Sequence, residues 1–329
     1  MGDASPRLVS PRLIYCGMFG ALSRVPLMAV LDAGYDVRAV VVPATEAAPP
    51  SARRLLPPTG WSARPASFAA LLSRTIVDEA WARDIPVLAI GRFDRAAVDA
   101  LAAFAPELLA VSCFPLRFPA PLLALPTRGV LNLHPALLPR GRGPDPLFWA
   151  FREAEPERAG QGGVTVHLMA RELDAGPIVT QGRLELSDGM RESELELRVA
   201  ALGAELLVRA IRALADGTAR PLPQDERQAT AYPLPGPADF VVTPERSARW
   251  AFNFLRGIAG RGRPLRVVVA GRAWRVRAAL GYEPTRRLAV PFVEESAGDG
   301  AGGGSTLLVR CEPGVLRLSG DAEEGDHCS

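Results

Sequence analysis

The chain has 329 residues, 48% of them hydrophobic, and a formal net charge of +2 at pH 7. This length is sufficient for two domains with packed cores. No apolar run approaches the ~18 residues that cross a bilayer, and residues 1–12 lack the hydrophobic region of a signal peptide. The four cysteines are widely spaced without a CxxC or Cys/His grouping, so neither a disulfide framework nor a structural zinc site is predicted. We therefore expect a cytoplasmic protein that binds neither a membrane nor a metal.

The first half of the chain alternates strand-like and helix-like segments. This rhythm is typical of βαβ units and predicts a mostly parallel sheet. The Pro-rich residues 43–68 are predicted to form a loop. Predicted strands are 13–16, 37–42, 86–90, 107–112 and 129–134, and predicted helices are 23–34, 68–83 and 95–104.

Two further strands, 163–169 and 178–186, enclose a loop that contains Asp174. A long helix is predicted to begin after Ser187 or Asp188 and to end at Gly217, which closes the first domain. Residues 11–217 are thus predicted to form an α/β catalytic domain. The proline density of residues 218–245 predicts a linker.

Beyond this linker the sequence predicts a smaller domain over residues 246–319. A helix at 246–258 is followed by five short strand-like segments, and such a series is typical of a small β-barrel. The last residues, 320–329, are predicted to form an acidic tail. The predicted strands are 265–270, 274–280, 288–293, 306–311 and 315–318.

Polar side chains that can act together follow the buried strand 129–134. Asn132 and His134 lie at its end, where a proline stops it, and open α/β sheets bind their ligands at this edge. An Asn amide can donate to a developing oxyanion, a His can accept and return a proton, and the carboxylate of Asp174 can orient that His. With no Ser or Cys nucleophile beside them, these groups favour acyl transfer from an activated donor to an amine.

Four segments carry a resemblance to a known family. They read NLHPALLP at 132–139, RGPDPLFWA at 142–150, GVTVH at 163–167 and LDAGPI at 173–178. In the order and spacing of these four segments, the chain resembles the 10-formyltetrahydrofolate-dependent formyltransferases over residues 11–215. The resemblance implies a Rossmann-like domain, 10-formyltetrahydrofolate as the formyl donor without a metal, and Asn132, His134 and Asp174 as the catalytic residues.

The remainder of the chain indicates which members of this family it resembles. ADGTARP at 215–221 and QATAY at 228–232 are similar to methionyl-tRNA formyltransferases and to amino-sugar formyltransferases, both of which have a C-terminal barrel. The resemblance implies an OB-like barrel here and a folate site along the loop after strand 107–112, where Cys-Phe-Pro replaces the usual Ala-Tyr-Gly. The implied folate-binding residues are Ser112, Cys113, Phe114, Leu116, Phe118, Leu138 and Asp174.

The charge of the C-terminal segment bears on the acceptor. Residues 246–287 contain eleven arginines and a single acidic residue, Glu283. Such a stretch favours a phosphate-binding surface and hence initiator tRNA as the acceptor. Arg142 is predicted either to bind an acceptor phosphate or to cap the helix that begins near Pro144. The predicted acceptor-binding residues are Arg142, Arg261, Arg263 and Arg275.

Other readings of the sequence remain open. The acceptor can instead be a small amine, such as the amino group of a nucleotide-linked sugar. A protein of another class, a non-catalytic RNA-binding protein with the same fold, is a further alternative. His167 is predicted to be structural, and Cys113 to pack in the core because no base neighbours it. The sequence indicates no oligomeric state.

Overall fold

A computed structural model describes residues 10–45, 51–64, 67, 69–70, 73–154, 160–295 and 305–323. Their internal contacts define two compact units. The first unit comprises Met1–Pro144, Gly163–Leu184 and Glu196–Ala231, and the second comprises Asp145–Gly162, Glu185–Leu195 and Tyr232–Ser329. This division differs from the predicted domain boundaries, because two segments from the first 217 residues pack with the C-terminal residues. The predicted linker 218–245 is shared between the units.

The first unit is built on an eight-stranded sheet. Its order is β3-β4-β2-β1-β5-β6-β7-β8. The pairs β1–β2, β2–β4, β1–β5 and β5–β6 are parallel, while β3 and β7 run antiparallel to their neighbours β4 and β6. The predicted Rossmann-like, mostly parallel sheet is confirmed. The strands are β1 Leu13–Gly17, β2 Val37–Pro43, β3 Ala52–Leu55, β4 Val87–Ile90, β5 Leu108–Ser112, β6 Val130–His134, β7 Gly160–Leu168 and β8 Ile178–Leu186.

Helices connect these strands and cover the sheet. Side-chain caps define two of the starts: Thr75 forms a capping box with Asp78, and Asp94 accepts from the amide of Ala97 at 3.1 Å. Part of the predicted helix 68–83 lies outside the described residues; of the described ones, 69–70 and 76–81 are helical and 73–75 are not. These helices are α1 Ala21–Asp32, α2 Ile76–Trp81, α3 Arg95–Ala102, α4 Ala120–Leu123 and α6 Glu192–Ala215, of which α6 lies in this unit from Glu196 onward. Helices α5 Pro146–Arg152 and α7 Ala248–Ile258 belong to the second unit. None of the helices within the described part of the chain is long and apolar enough to span a membrane.

The central strands are apolar because both of their faces are covered. Every residue of β1, β4 and β5 is buried, as expected for parallel strands between two layers of helices. Gly17, Ser112 and Leu133 lie side by side in register at one edge of the sheet. The polar residues that follow these strands are therefore collected at the carboxyl edge.

The second unit contains a mixed six-stranded sheet of order β12-β13-β14-β11-β10-β9. Strands β9 and β10 pair in parallel, and the other neighbouring strands of this sheet pair antiparallel over the residues that the structure describes. Helix α7 is capped by Ser247 and buries Trp250, Phe254 and Ile258. The predicted acidic tail begins inside β14, and residues 324–329 lie outside the described part. The strands are β9 Val241–Val242, β10 Leu265–Val269, β11 Arg272–Glu283, β12 Phe292–Glu295, β13 Ser305–Arg310 and β14 Val315–Ala322.

Candidate active site

Strand β6 places Asn132 and His134 on one face of the sheet. The two residues are separated by one position, so their side chains point the same way. The antiparallel neighbour β7 sets His167 opposite Asn132 and Thr165 opposite His134. Since directly opposed residues share a face, strand pairing alone brings two imidazoles and an amide together.

The structure adds Asp174 to this group. The Asn132 amide nitrogen lies 3.2 Å from Nε2 of His167 and 3.4 Å from Oδ1 of Asp174. Nδ1 of His134 lies 3.6 Å from Oδ2 of Asp174. The three residues predicted to be catalytic therefore meet in one place, with His167 as a fourth member.

Hydrogen-bond chemistry assigns the protons of both imidazoles. Nε2 of His134 lies 2.8 Å from the carbonyl oxygen of Gly141, which can only accept, so this nitrogen carries the hydrogen. Its Nδ1, which faces Asp174, is then the unprotonated nitrogen of the neutral ring. In His167, Nδ1 donates to the carbonyl of Leu168 at 3.0 Å and Nε2 accepts from Asn132. His167 thus orients the Asn132 amide.

A tight loop between β7 and β8 holds Asp174. This residue has φ +54, an uncommon backbone conformation outside glycine, and its Oδ2 accepts from the Gly143 amide at 2.9 Å. Two residues on, a Cβ at Gly176 would lie 1.7 Å from the carbonyl oxygen of Leu168. Only glycine allows this approach of the loop to β7.

Burial and charge set opposite ionisation states for His134 and Asp174. The exposed fractions of the two residues are 4% and 7%. Burial lowers the pKa of His134, and the opposing effects of Asp174 and the Gly141 carbonyl do not offset it. Burial alone would raise the pKa of Asp174, but the charge of a protonated His134 and the hydrogen bond from the Gly143 amide help to hold it below its usual value. At neutral pH the pair is a neutral imidazole beside a carboxylate.

The predicted folate-site loop follows β5 directly. Ser112 is buried, and its hydroxyl donates to the carbonyl of Leu22 at 2.5 Å. Cys113 has φ +55, and burial, with a smaller effect of Glu196, raises the pKa of its thiol to about 12. This thiol is protonated at neutral pH and is a poor nucleophile.

Apolar side chains extend this loop. Phe114 and Phe118 lie 5.9 Å apart between ring centroids, and both contact Phe93. Phe118 and Leu138 are buried, whereas Phe114 and Leu116 are partly exposed. Phe114 and Leu116 therefore present apolar surface a few residues after Ser112, the last residue of β5.

The four predicted acceptor-binding arginines lie in different environments. Arg263 and Arg275 are exposed. Arg261 donates to Asp145 at 2.9 Å and also pairs with Glu192. Burial alone would lower the pKa of Arg261, but these two carboxylates raise it above its usual value. Its charge is therefore already balanced within the second unit.

Arg142 is also occupied by internal partners. Its guanidinium donates to Oε1 of Gln224 at 2.8 Å and to Oε1 of Glu226 at 2.7 Å. The backbone of Thr230 completes this contact by accepting from the Arg142 amide at 2.9 Å. Neither Gln224 nor Glu226 is identified by sequence reasoning, since both belong to the segment predicted to be a linker.

Comparisons with known proteins agree with this geometry. A model of the family described as "Formyl transferase" matches residues 66–211. A methionyl-tRNA formyltransferase of Anaeromyxobacter dehalogenans is 36% identical over 242 residues, covering 70% of this chain and 75% of that protein. A methionyl-tRNA formyltransferase of Pelobacter propionicus is 34% identical over 236 residues, covering 71% and 67%.

Solved structures show the same fold at lower identity. An N-formyltransferase from Helicobacter canadensis, in complex with folinic acid and dTDP-3-aminofucose, superposes with a TM-score of 0.63 at 14% identity, covering 94% of this chain and 99% of that one. HypX from Aquifex aeolicus, in complex with tetrahydrofolic acid, gives 0.56 at 16% identity over 94% of this chain and 43% of that one. These similarities concern the fold alone.

Proposed function

This chain belongs to the methionyl-tRNA formyltransferase family, and we propose that it transfers the formyl group of 10-formyltetrahydrofolate to the amino group of methionyl initiator tRNA. The observation that carries the proposal is the meeting of Asn132, His134 and Asp174 at the carboxyl edge of the sheet. The acceptor is proposed because the relatives from the two bacteria are named methionyl-tRNA formyltransferases.

In this reaction the amine of the acceptor attacks the formyl carbon, and a carbon–nitrogen bond forms. The Asn132 amide donates to the oxygen that becomes negative in the tetrahedral intermediate. The unprotonated Nδ1 of His134 takes the proton that the amine loses, and Asp174 stabilises the imidazolium. The bond to the folate nitrogen then breaks, and the proton passes to that nitrogen.

The folate donor is supported by the chemistry of the loop after β5. Phe114 and Leu116 present partly exposed apolar surface, which suits an aromatic pterin ring. Two proteins with the same fold are described with folinic acid or tetrahydrofolic acid. We assign folate binding to the loop 112–118 together with Leu138 and the Asp174 loop.

The acceptor side of the proposal uses the second unit. Its strands β10, β11, β14, β13 and β12 form a continuous antiparallel series, and we propose that this sheet belongs to an OB-like barrel. Exposed Arg263 and Arg275 would then contact tRNA phosphates. Arg142 and Arg261 are further candidates for phosphate contacts, but each would first have to release its carboxylate partner, Glu226 for Arg142 and Asp145 for Arg261.

The experiment measures single-turnover formyl transfer to methionyl-tRNA. Asn132→Ala should lose about 10²- to 10³-fold in rate because an oxyanion donor is removed. His134→Ala should lose about 10²- to 10⁴-fold because the acid–base group is removed. Asp99→Ala, an exposed carboxylate on α3, is the matched control for Asp174→Ala and should keep the full rate.

The same assay separates the alternatives. Transfer to a nucleotide-linked amino sugar but not to methionyl-tRNA would replace the acceptor and retain the chemistry. Binding of tRNA without transfer to any amine would favour a non-catalytic RNA-binding protein. Near-full activity of Asn132→Ala or Asp174→Ala would contradict the assigned roles.

A further inference from the structure

Residues 222–231, which we call the strap, contact both loops that carry the site. The sequence places these residues in a Pro-rich linker, yet they are part of the first unit. We propose that the strap positions the catalytic residues and that Gln224 is its central positioning residue. The inference rests on the proposed function and assigns to this segment the role of holding the loops that carry Asp174 and His134.

Gln224 holds the Asp174 loop by its backbone. The Nε2 amide donates to the carbonyl oxygen of Asp174 at 2.7 Å and to that of Gly176 at 2.8 Å. The backbone conformation of Asp174, with φ +54, is sparsely populated and persists only where the surroundings support it. The Gln224 amide supplies such support through two hydrogen bonds to carbonyl groups that lie two residues apart in the loop.

Arg142 fixes the orientation of the Gln224 amide. Nε and Nη2 of Arg142 donate to Oε1 of Gln224 at 3.2 and 2.8 Å. Because an arginine can only donate, the amide oxygen must face it and the amide nitrogen must face the Asp174 loop. Glu226 binds the other edge of the same guanidinium through both carboxylate oxygens, at 2.7 and 2.9 Å.

The far end of the strap holds the His134 side of the site. Thr230 accepts from the Gly141 amide through its hydroxyl at 2.9 Å and donates its own amide to the Pro139 carbonyl at 3.2 Å. The carbonyl of Gly141 is the group that fixes the tautomer of His134. The near end is anchored by a two-way backbone pair between Leu222 and Ile178, at 2.8 Å each way.

The strap therefore joins two loops that follow different strands. Asp174 follows β7 and His134 ends β6, and the reaction depends on the distance between these two side chains. Misplacement of a catalytic group by about 1 Å can reduce a rate by about 10²-fold. A segment that bonds both loops limits this displacement.

The test uses two variants of the full chain. Gln224→Ala removes the side chain, and Gln224→Glu keeps its size and its acceptor toward Arg142 but removes the donors to Asp174 and Gly176. Both should lower kcat about 10- to 100-fold, with KM for methionyl-tRNA close to that of the unsubstituted protein. Gln228→Ala, an exposed residue of the same strap, is the matched control and should leave kcat unchanged.

Two readouts distinguish positioning from a general structural effect. In an Asp174→Ala background, Gln224→Ala should cause no further loss of rate, because its effect passes through Asp174. In Gln224→Ala, hydrogen exchange should accelerate at the Gly143 amide, because this amide donates its hydrogen bond to Asp174. Exchange should stay slow in the buried strands β1 and β5. Additive losses of rate, or unchanged exchange at Gly143, would overturn the proposal.

The outcomes also separate this inference from the proposed function. If the unsubstituted protein transfers formyl groups and both Gln224 variants keep full kcat, the strap proposal fails alone. If the unsubstituted protein transfers no formyl group, the proposed function fails, and the catalytic role of the strap fails with it. In that case Gly143 exchange still reports whether Gln224 holds the Asp174 loop.

Discussion

At the level of single residues, burial keeps His134 neutral, which suits the proposed role of this residue as a base. Its pKa is lowered by burial even though a carboxylate lies 3.6 Å away. The carboxylate of Asp174 favours the imidazolium, so it is most effective after the proton has arrived. The neutral ring can therefore accept a proton at physiological pH and be stabilised once it is charged.

The pH dependence of kcat/KM follows from these directions. The limb contributed by His134 should lie below pH 6.5, the ordinary pKa of a histidine, because protonation of His134 removes the base; protonation of the acceptor amine contributes a separate limb that Asp174→Asn leaves in place. Asp174→Asn should lower the rate and move the His134 limb to still lower pH, since the carboxylate that raises the pKa of His134 is gone. Asp99→Asn should leave the limb in place. A limb that moves to higher pH in Asp174→Asn would contradict the assignment.

At the level of elements, the loop between β7 and β8 places a buried carboxylate by backbone geometry. Asp174 adopts a positive φ, and Gly176 approaches β7 more closely than a side chain permits. The loop is thus defined by conformations that few residues accept. Any substitution that pushes it away from β7 moves the carboxylate as well.

Gly176→Ala tests this element. The added Cβ would lie 1.7 Å from the Leu168 carbonyl oxygen, so the backbone must shift. We expect the free energy of unfolding in urea to fall by about 1–3 kcal/mol or more, and formyl transfer to be lost with Asp174 displaced. Gly260→Ala is the matched control, since a Cβ there meets no atom within 4 Å. Equal stability and activity of the two variants would show that the loop adapts.

Other elements show where sequence patterns are insufficient. The edge strand β3 lies inside residues 43–68, which the prolines led us to predict as a loop. It forms because Ala52–Leu55 pairs antiparallel with β4, and pairing with a distant strand leaves no local periodicity. The strap is a second example, since its prolines suggested a linker, whereas its hydrogen bonds to the site join residues far apart in the chain, such as Gln224 and Asp174, 50 positions apart, and Thr230 and Gly141, 89 positions apart.

At the level of the whole molecule, the arginines of the C-terminal segment divide by their partners. Arg261 is paired with two carboxylates, and Arg246 donates to a carbonyl and lies 4.0 Å from the Trp250 ring centroid. Arg263 and Arg275 are exposed. A count of arginines therefore overstates the charge available to a polyanion.

Salt-dependent tRNA binding separates these two classes of arginine. Arg263→Ala and Arg275→Ala should each weaken affinity and reduce the slope of log K against log[salt] by about 1. Arg209→Ala, an exposed arginine on α6, is the control and should leave the slope unchanged. Arg261→Ala should instead lower stability, because Asp145 and Glu192 lose their partner. Unchanged slopes in Arg263→Ala and Arg275→Ala would contradict a tRNA surface at these residues.

The sequence by itself determined the alternation of strands and helices and the mostly parallel sheet, and it singled out Asn132, His134 and Asp174 as the candidate catalytic residues. These features are carried by local periodicity and by short motifs, which can be read without knowing what lies nearby. Tertiary structure alone decided that His167 orients Asn132, that Arg261 is balanced by carboxylates and that Gln224 holds the Asp174 loop. Each of these depends on contacts between residues distant in the chain, and hydrogen bonds of that kind leave no pattern in the order of amino acids.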